Sequence, residues 1–360
     1  MVSDGWLNAD FTMEFRDFTA SNVSRASGSP CISASHATSN SSYAGTLSIS
    51  NVDLINCGVS SIIGAFSPGS LIVNGVNISS DHSSGTTSGI TSAYDNTLTN
   101  ISNTSISGFS VGITAVAFQP NANWNLTNNT ITDNRLGFSF GVNAPGQTVN
   151  LTNNTIVGNT GEVGSYPFDV SAGIRLYVPD VQGAEMNLNM KNNLIANNNL
   201  GGNLSNCGIM PAPNRVTATS SSNLSDDNCA GKLGVDDLAN LADASSHLGA
   251  LADNGGEIRT MALLQGSQAI DGGEAGDTVP VNDARGTLRP QGGDYDIGAF
   301  ELVYGEIITD PPPPDPETPD PPRTGVLLGG LMVIVSGCAL LILVSKEMID
   351  VKSKKAKSVK

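Results

Sequence analysis

Four residues, Asn-Asn-Thr-Ile, recur along this chain at a nearly fixed interval, and that interval constrains the fold more than any other feature. Asn128-Asn129-Thr130-Ile131 follows Trp124 and Leu126, and Asn153-Asn154-Thr155-Ile156 follows Val149 and Leu151. Asn192-Asn193-Leu194-Ile195 follows Leu188 and Met190 in the same way. Each final Ile is preceded by apolar residues seven and five positions earlier. The same spacing places Leu47 and Ile49 before Leu54, Leu71 and Val73 before Ile78, and Phe11 and Met13 before Phe18. Around Ile106 the pattern is looser: Ile101 fits and Leu98 is one position out. The anchors Phe18, Leu54, Ile78, Ile106, Ile131, Ile156 and Ile195 are separated by 36, 24, 28, 25, 25 and 39 residues. A period near 25 with occasional insertions is the mark of a solenoid. The two widest gaps predict loops that leave the stack, around Cys31 to Tyr43 and around Glu162 to Val170.

A glycine follows three anchors by six residues, at Gly112, Gly137 and Gly201, and Gly173 opens a matching segment after the insertion. One period therefore reads as strand, turn, strand, turn. Alternation of period two points one face of each strand inward and the other to water. A single such unit cannot bury its apolar face, so neighbouring coils must stack. Stacked asparagines can hydrogen-bond along the axis, and Asn tolerates the left-handed turn conformation. The period predicts one ladder through Asn128, Asn153 and Asn192 and a second through Asn134, Asn159 and Asn198. Asn125-Leu126-Thr127 and Asn150-Leu151-Thr152 also match glycosylation sequons. At ~4.8 Å per strand, seven coils make a rod about 34 Å long.

Composition agrees with many short strands. Aromatic residues are 5% and charged residues 14%, whereas 39% hydrophobic residues in short regular runs exclude a disordered chain. Net charge is −16, but six of the 17 basic residues lie after Ser345 with only Glu347 and Asp350, so the tail carries +4 and the rest −20. A body this acidic repels nucleic acid. The chain has five cysteines and three histidines (His36, His82 and His247), with no CxxC or Cys/His metal spacing, so neither a metal nor a cofactor is expected. In an exported chain the pairs Cys207–Cys229 and Cys31–Cys57 form disulfides. Residues 1–10 carry no basic segment followed by an apolar one, and the expectation is a chain whose leader and further coils lie upstream.

The period, the Asn ladders and the inward aliphatics over residues 10–205 resemble right-handed parallel β-helix proteins of the pectate-lyase-like group. Handedness comes from that resemblance. From Leu248 the text reads LGALADNGG, then TMALLQGSQAIDGG, then DARGTLRPQGGDYDIGAFE. Residues 248–301 resemble the choice-of-anchor Q module of bacterial surface β-helix proteins, which sits between a β-helix and an envelope-attachment signal. Asp283, Arg285, Arg289, Asp294 and Asp296 there read as Arg–carboxylate pairs closing a small cap over the last coil, with Met261, Leu263 and Ile270 in its core.

Residues 309–322 contain eight prolines in fourteen positions, a polyproline II spacer about 43 Å long at 3.1 Å per residue. Residues 326–344 are uncharged and mostly apolar, long enough to span about 28 Å of hydrocarbon as a helix. Lys346, Lys352, Lys354, Lys355, Lys357 and Lys360 follow and place the C-terminus in the cytoplasm. Pro321-Pro322-Arg323-Thr324-Gly325 resembles the LPxTG sorting signal: Pro322, Thr324 and Gly325 match, and Pro321 replaces the usual Leu. The resemblance implies cleavage after Thr324 and transfer to the cell wall, while the Pro321 departure favours a retained membrane anchor.

The sequence thus predicts an all-β chain, a right-handed parallel β-helix of about 25 residues per coil, with a small C-terminal cap, a Pro-rich linker and one transmembrane helix. The boundaries are 1–230 for the stalk, 231–304 for the cap module, 305–325 for the spacer, 326–344 for the helix and 345–360 for the basic tail. The function expected is structural or adhesive at the outer face of the cell envelope, without catalysis. Its partners are the membrane, the cell wall, and glycans or surface proteins, met through the polar face and the loop insertions. The competing reading is a polysaccharide lyase or glycosidase, which needs clustered carboxylates and a base. Its best candidates are Asp133, Arg135 and Arg175, with Asp169 nearby.

Overall fold

The computed structural model describes residues 11–21, 30–36, 45–57, 60–81, 88–117, 120–164, 171–241, 244–245 and 247–305. They form strands, turns and two short 3-10 segments, with no α-helix among the described residues. The predicted membrane helix and the sorting-like residues Pro322, Thr324 and Gly325 lie outside them. Within them, no helix is long and apolar enough to cross a membrane.

The strands stack into three long parallel ladders, so the described residues form an all-β solenoid. The first ladder runs through residues 11–16, 45–50, 69–74, 98–102, Asn123–Thr127, Gln147–Thr152, Met186–Lys191 and Val216–Ser221. The second runs through residues 18–21, 52–55, 76–79, 104–107, Thr130–Thr132, Thr155–Val157, Leu194–Ala196 and Leu224–Ser225. The third joins Ile32–His36, residues 60–66 and 88–94, Val111–Ala117, Phe138–Val142, Ile174–Val178 and Cys207–Pro211.

Each coil therefore has three strand positions, not the two expected. The first two are separated by one residue in the left-handed region: Asp17, Asn51, Gly75, Asn103, Asn128, Asn153, Asn192 and Ser222 all have positive φ. Asn and Asp adopt that conformation at low cost and turn the chain without breaking the hydrophobic period.

Inside, Leu54, Ile78, Ile106, Ile131, Ile156 and Ile195 stack in register and are fully buried. Trp124 packs edge-on against Phe140 across the core, with centroids 5.1 Å apart. In the first coil the anchor is Ala20, which pairs with Leu54; Phe18 pairs with Val52. A slip of two residues keeps the same face inward, so alternation could not distinguish the two registers. At the loose coil Thr99, not Leu98, takes the inward place, and its hydroxyl meets Ser92 Oγ at 3.0 Å. The stack also gains a last coil, in which Ser225 stands where the period calls for Ile.

Gly89, Gly112, Gly137 and Gly173 form one column where a Cβ would lie 2.3–2.8 Å from a carbonyl of the next coil. Gly201 does not belong to it; it sits in the antiparallel hairpin of residues 199–204. Of the first expected loop, Ile32–His36 instead belongs to the third ladder. At the second, Thr160–Gly161 pairs with Asn199–Leu200, and residues 165–170 lie outside the described residues.

The C-terminal segment departs from the expected cap. Residues near Leu238 do close the last coil, bridging Leu224 in parallel. Residues 247–305, however, run back along the solenoid. Val157, Leu194, Ala196 and Leu224, which point out of the second ladder, form a second core with Ala262, Leu263, Ala269, Ile297 and Phe300. Those outward apolar side chains need a cover, and burying them draws the segment onto the flank.

Candidate functional site: an uncharged outer face and a cleft at its edge

With the second ladder's outer face covered, the first ladder presents the most regular open surface. Its outward column reads Ser48, Ile72, Asn100, Asn125, Asn150, Asn189 and Thr219. The amides are tied together: Asn125, Asn150 and Asn189 each donate Nδ2 to the Oδ1 of the preceding Asn at 2.7 Å. Thr219 Oγ1 closes the row on Asn189 at 2.6 Å. Asn150 donates in addition to Asn123 Oδ1 at 2.9 Å. The amides are thereby fixed at the strand spacing of ~4.8 Å. Parallel columns flank this row: Asn123, Thr148, Asn187 and Thr217 on one side, and Ser102, Thr127, the buried Thr152 and Lys191 on the other. Lys191 is neutralised by Glu274 at 2.7 Å, so from the coil of Asn100 onward the face bears no net charge. That ion pair and Ser221 Oγ hold the Glu274 carboxyl below the usual range.

At the edge of this face, between the third and first ladders, lies a cleft of about 460 Å³ lined by Gly146, Glu185, Met186, Asn187, Asn214, Arg215 and Thr217. It lies where three connections meet, and the middle one, residues 179–185, which brings Glu185 to the cleft, is longer than residues 143–146 and 212–215 in the coils on either side. Arg215 reaches back to that middle connection, with Nε 3.2 Å from Asp180 Oδ1 and Nη1 3.8 Å from Glu185 Oε1. Arg215 and Glu185 escaped sequence reasoning because they lie in connections, where the period is silent. The extra length of one connection was the only signal.

In comparisons with protein-family models, curated proteins and solved structures, nothing matches this chain.

Within the described residues, those singled out from sequence fall in four groups. Both cysteine pairs are bridged: Cys31–Cys57 with Cα atoms 5.7 Å apart and Cys207–Cys229 at 4.6 Å. Asn128, Asn153 and Asn192 do not form a ladder with one another. They occupy the bend and face the C-terminal segment: Asn128 donates to Asn282 O at 2.8 Å, Asn153 to Asp296 O and Gly298 O at 3.2 Å, and Asn192 to Glu274 O at 2.8 Å. The inner ladder is one residue further on, where Asn129, Asn154, Asn193 and Asn223 are linked at 2.8–2.9 Å and fully buried. The second ladder links Asn134, Asn159 and Asn198, at 3.0 and 2.8 Å, and continues to Asn206. In the two sequons, the Nδ2 of Asn125 and of Asn150 are donors in the outer row.

Of the candidate lyase residues, Asp133 and Arg135 share the bend of residues 133–137, whereas Arg175 belongs to another element. Asp133 is exposed at a bend with φ 59°, and Arg175 lies on the third ladder with Nε and Nη2 on Ser139 Oγ at 3.1 and 2.9 Å. Asp169 lies outside the described residues.

The charged residues of the C-terminal segment organise its backbone. Arg289 donates to Asp296 O, Gly298 O and Glu301 Oε2 at 2.7–2.9 Å, and its ion pair with Glu301 is fully buried. Asp283 accepts from the backbone of Arg285, Thr287 and Glu301. Arg285 lies 3.6 Å above the Phe300 ring. Asp294 is exposed and accepts from its neighbour Tyr295 N at 2.9 Å. Desolvation pushes the Asp296 carboxyl up to about 7, raises Glu301 and lowers Arg289. These carboxylates already accept backbone amides, as structural groups do. Among the described residues no group of three or more His, Cys, Asp or Glu is placed to hold a metal ion.

Proposed function

We propose that this chain is a structural or adhesive protein of the outer cell envelope, and that the uncharged face of the first ladder is its contact surface for glycans. The observation that carries the reading is the row from Asn100 to Thr219, in which amides and hydroxyls are locked in place before any partner arrives. Locking cuts the ordering cost that weakens most polar surfaces on binding. Sugar hydroxyls need both donors and acceptors, and an Asn/Ser/Thr row supplies both.

Attachment to the envelope belongs to the same reading. In it the solenoid is a right-handed β-helix, and residues 231–304 join it to a spacer, a membrane helix over 326–344 and a cytoplasmic basic tail. Two disulfides suit an oxidising exterior. The likeness of residues 248–301 to choice-of-anchor Q modules supports the same order of parts.

The test is retention of the full chain, in detergent, on a panel of insoluble cell-wall and host polysaccharides, without turnover of any of them. A double variant, Asn125→Leu with Asn150→Leu, should lose retention while keeping its fold. Equal retention by that variant rejects the face. Mass spectrometry of the mature C-terminus reads the anchor: a chain ending at Thr324 on an envelope fragment shows sorting, and intact Lys360 in detergent extracts shows a retained helix. Full-length protein in the soluble cytoplasm rejects both.

A further inference from the structure

We infer that the cleft beside Arg215 is a discrete subsite for one neutral, hydroxyl-bearing sugar unit of a longer glycan lying on the outer face. This rests on the glycan reading of that face and adds a second, concave site to it.

Three observations meet at the cleft. The first is continuity. Asn187 and Thr217 line the cleft and also belong to the outer face, each two residues from Asn189 and Thr219 of the central row. A chain on the row can therefore place an end or a branch in the cleft without leaving the surface.

The second is uncommitted polarity. On the row each amide already gives one or two of its hydrogen-bonding positions to a neighbour and keeps the rest. In the cleft, the side chains of Asn187, Asn214 and Thr217 have no hydrogen-bond partner among the described residues. Among the described residues the guanidinium of Arg215 makes one hydrogen bond, through Nε to Asp180, and turns Nη1 toward Glu185 at ion-pair distance only. Donors and acceptors thus converge on one concavity, which is how small polar ligands are oriented.

The third is charge. Arg215 stands between Asp180 and Glu185, so its positive charge is already matched and the group is net negative. The body as a whole is strongly acidic. A uronate, sulfate or phosphate would meet repulsion, whereas vicinal hydroxyls can accept from Arg215 and Asn187 and donate to Glu185. The volume, about 460 Å³, suits a small unit and not a folded partner.

The test titrates the full chain with soluble neutral oligosaccharides (gluco-, manno- and N-acetylglucosamine series) and with oligogalacturonate. The expected result is saturable binding of at least one neutral series, insensitive to added salt because no ion pair forms. Thr217→Trp fills the cleft from an outward, exposed position and should weaken that binding at least tenfold. Val235→Trp, an equally bulky change at a fully exposed position of the end turn, should leave it unchanged. If Thr217→Trp binds like the parent while the face variants lose binding, the cleft inference fails and the face reading stands. Preference for oligogalacturonate with strong salt dependence overturns the neutral-sugar assignment. If the parent chain retains no glycan, soluble or insoluble, the face reading falls, and this inference with it.

Discussion

Asn223 donates its side-chain amide to Oδ1 of Asp237 at 2.8 Å, at the point where the buried asparagine ladder runs out of coils. The same oxygen accepts the Asn223 backbone N–H at 2.8 Å. Every earlier Asn in the row has a following Asn to receive it; the last has none. The second row ends alike, with Asn206 Nδ2 on Asp226 Oδ1. A carboxylate accepts without needing to donate onward, so an aspartate is a natural terminator for a one-way chain of amides.

Removing that terminator leaves the Asn223 backbone N–H without an acceptor, takes one of three acceptors from its side-chain amide, which keeps Met190 O and Ser221 O, and takes Oδ2 from Ser220 Oγ and Gly234 N. Asp237→Ala should cost about 1–3 kcal/mol in denaturant unfolding. Asp237→Asn keeps an acceptor oxygen and should cost less than half as much. Equal losses would mean that the residue matters for charge rather than for ending the ladder.

The two adjacent asparagine columns should respond very differently to change. Asn154→Leu removes the oxygen that accepts the backbone and side-chain N–H groups of Asn129, and the side-chain amide that donates to the Leu126 carbonyl. All are buried, so the loss should be about 3 kcal/mol or more. Asn153→Gly keeps the left-handed bend, and the Asp296 and Gly298 carbonyls still receive Arg289. It should cost about 1 kcal/mol or less. Thermal unfolding of the two variants side by side decides which column carries the stack.

This contrast also shows how far the sequence could be read. The repeat interval was legible because each inward Ile must meet another Ile, and six of the seven proposed anchors stack as spaced. Which of two consecutive asparagines points inward was not, because both recur with the same period. Only the positive φ at the first of the pair, which swings its side chain outward, separates them. The flank-packed C-terminal segment was equally hidden. Its cover function depends on Val157, Leu194, Ala196 and Leu224, which face away from the core that the period describes. The cleft was illegible for a third reason, since connections obey no period.

Ile156 sits between Ile131 and Ile195 with no solvent exposure. Ile156→Asp places a carboxylate among aliphatic groups with no partner of opposite charge, and should cost several kcal/mol. The Ile156→Val change removes one methylene and should cost about 1 kcal/mol. A midpoint unchanged by Ile156→Asp would refute the inward stack at this coil.

The C-terminal segment should lose stability as pH rises through neutrality. Burial pushes the Asp296 carboxyl up to about 7 and raises Glu301 in the same direction, while an unfolded carboxyl titrates near 4. Between about 4 and 7 the folded state therefore holds more protons than the unfolded one. The stabilising contribution of the protonated acid is complete below the unfolded pKa and is lost as pH climbs through the folded value. Glu274, shifted down, has the opposite slope, but it titrates at lower pH and is partly exposed. Relief of the body's net negative charge also favours the folded chain at lower pH, so the total slope alone does not isolate Asp296. A variant does. Asp296→Asn retains one acceptor for the amides of Asp271 and Leu302 and cannot ionise. It should be less stable than the parent at pH 5, where the parent's acid is protonated, and should close that gap by pH 8. The residual slope then belongs to Glu301 and the global charge. Urea unfolding at pH 5, 6, 7 and 8, followed at the C-terminal segment by hydrogen exchange, gives the two curves. Parallel curves across that range would show that Asp296 ionises in the folded chain as freely as in water.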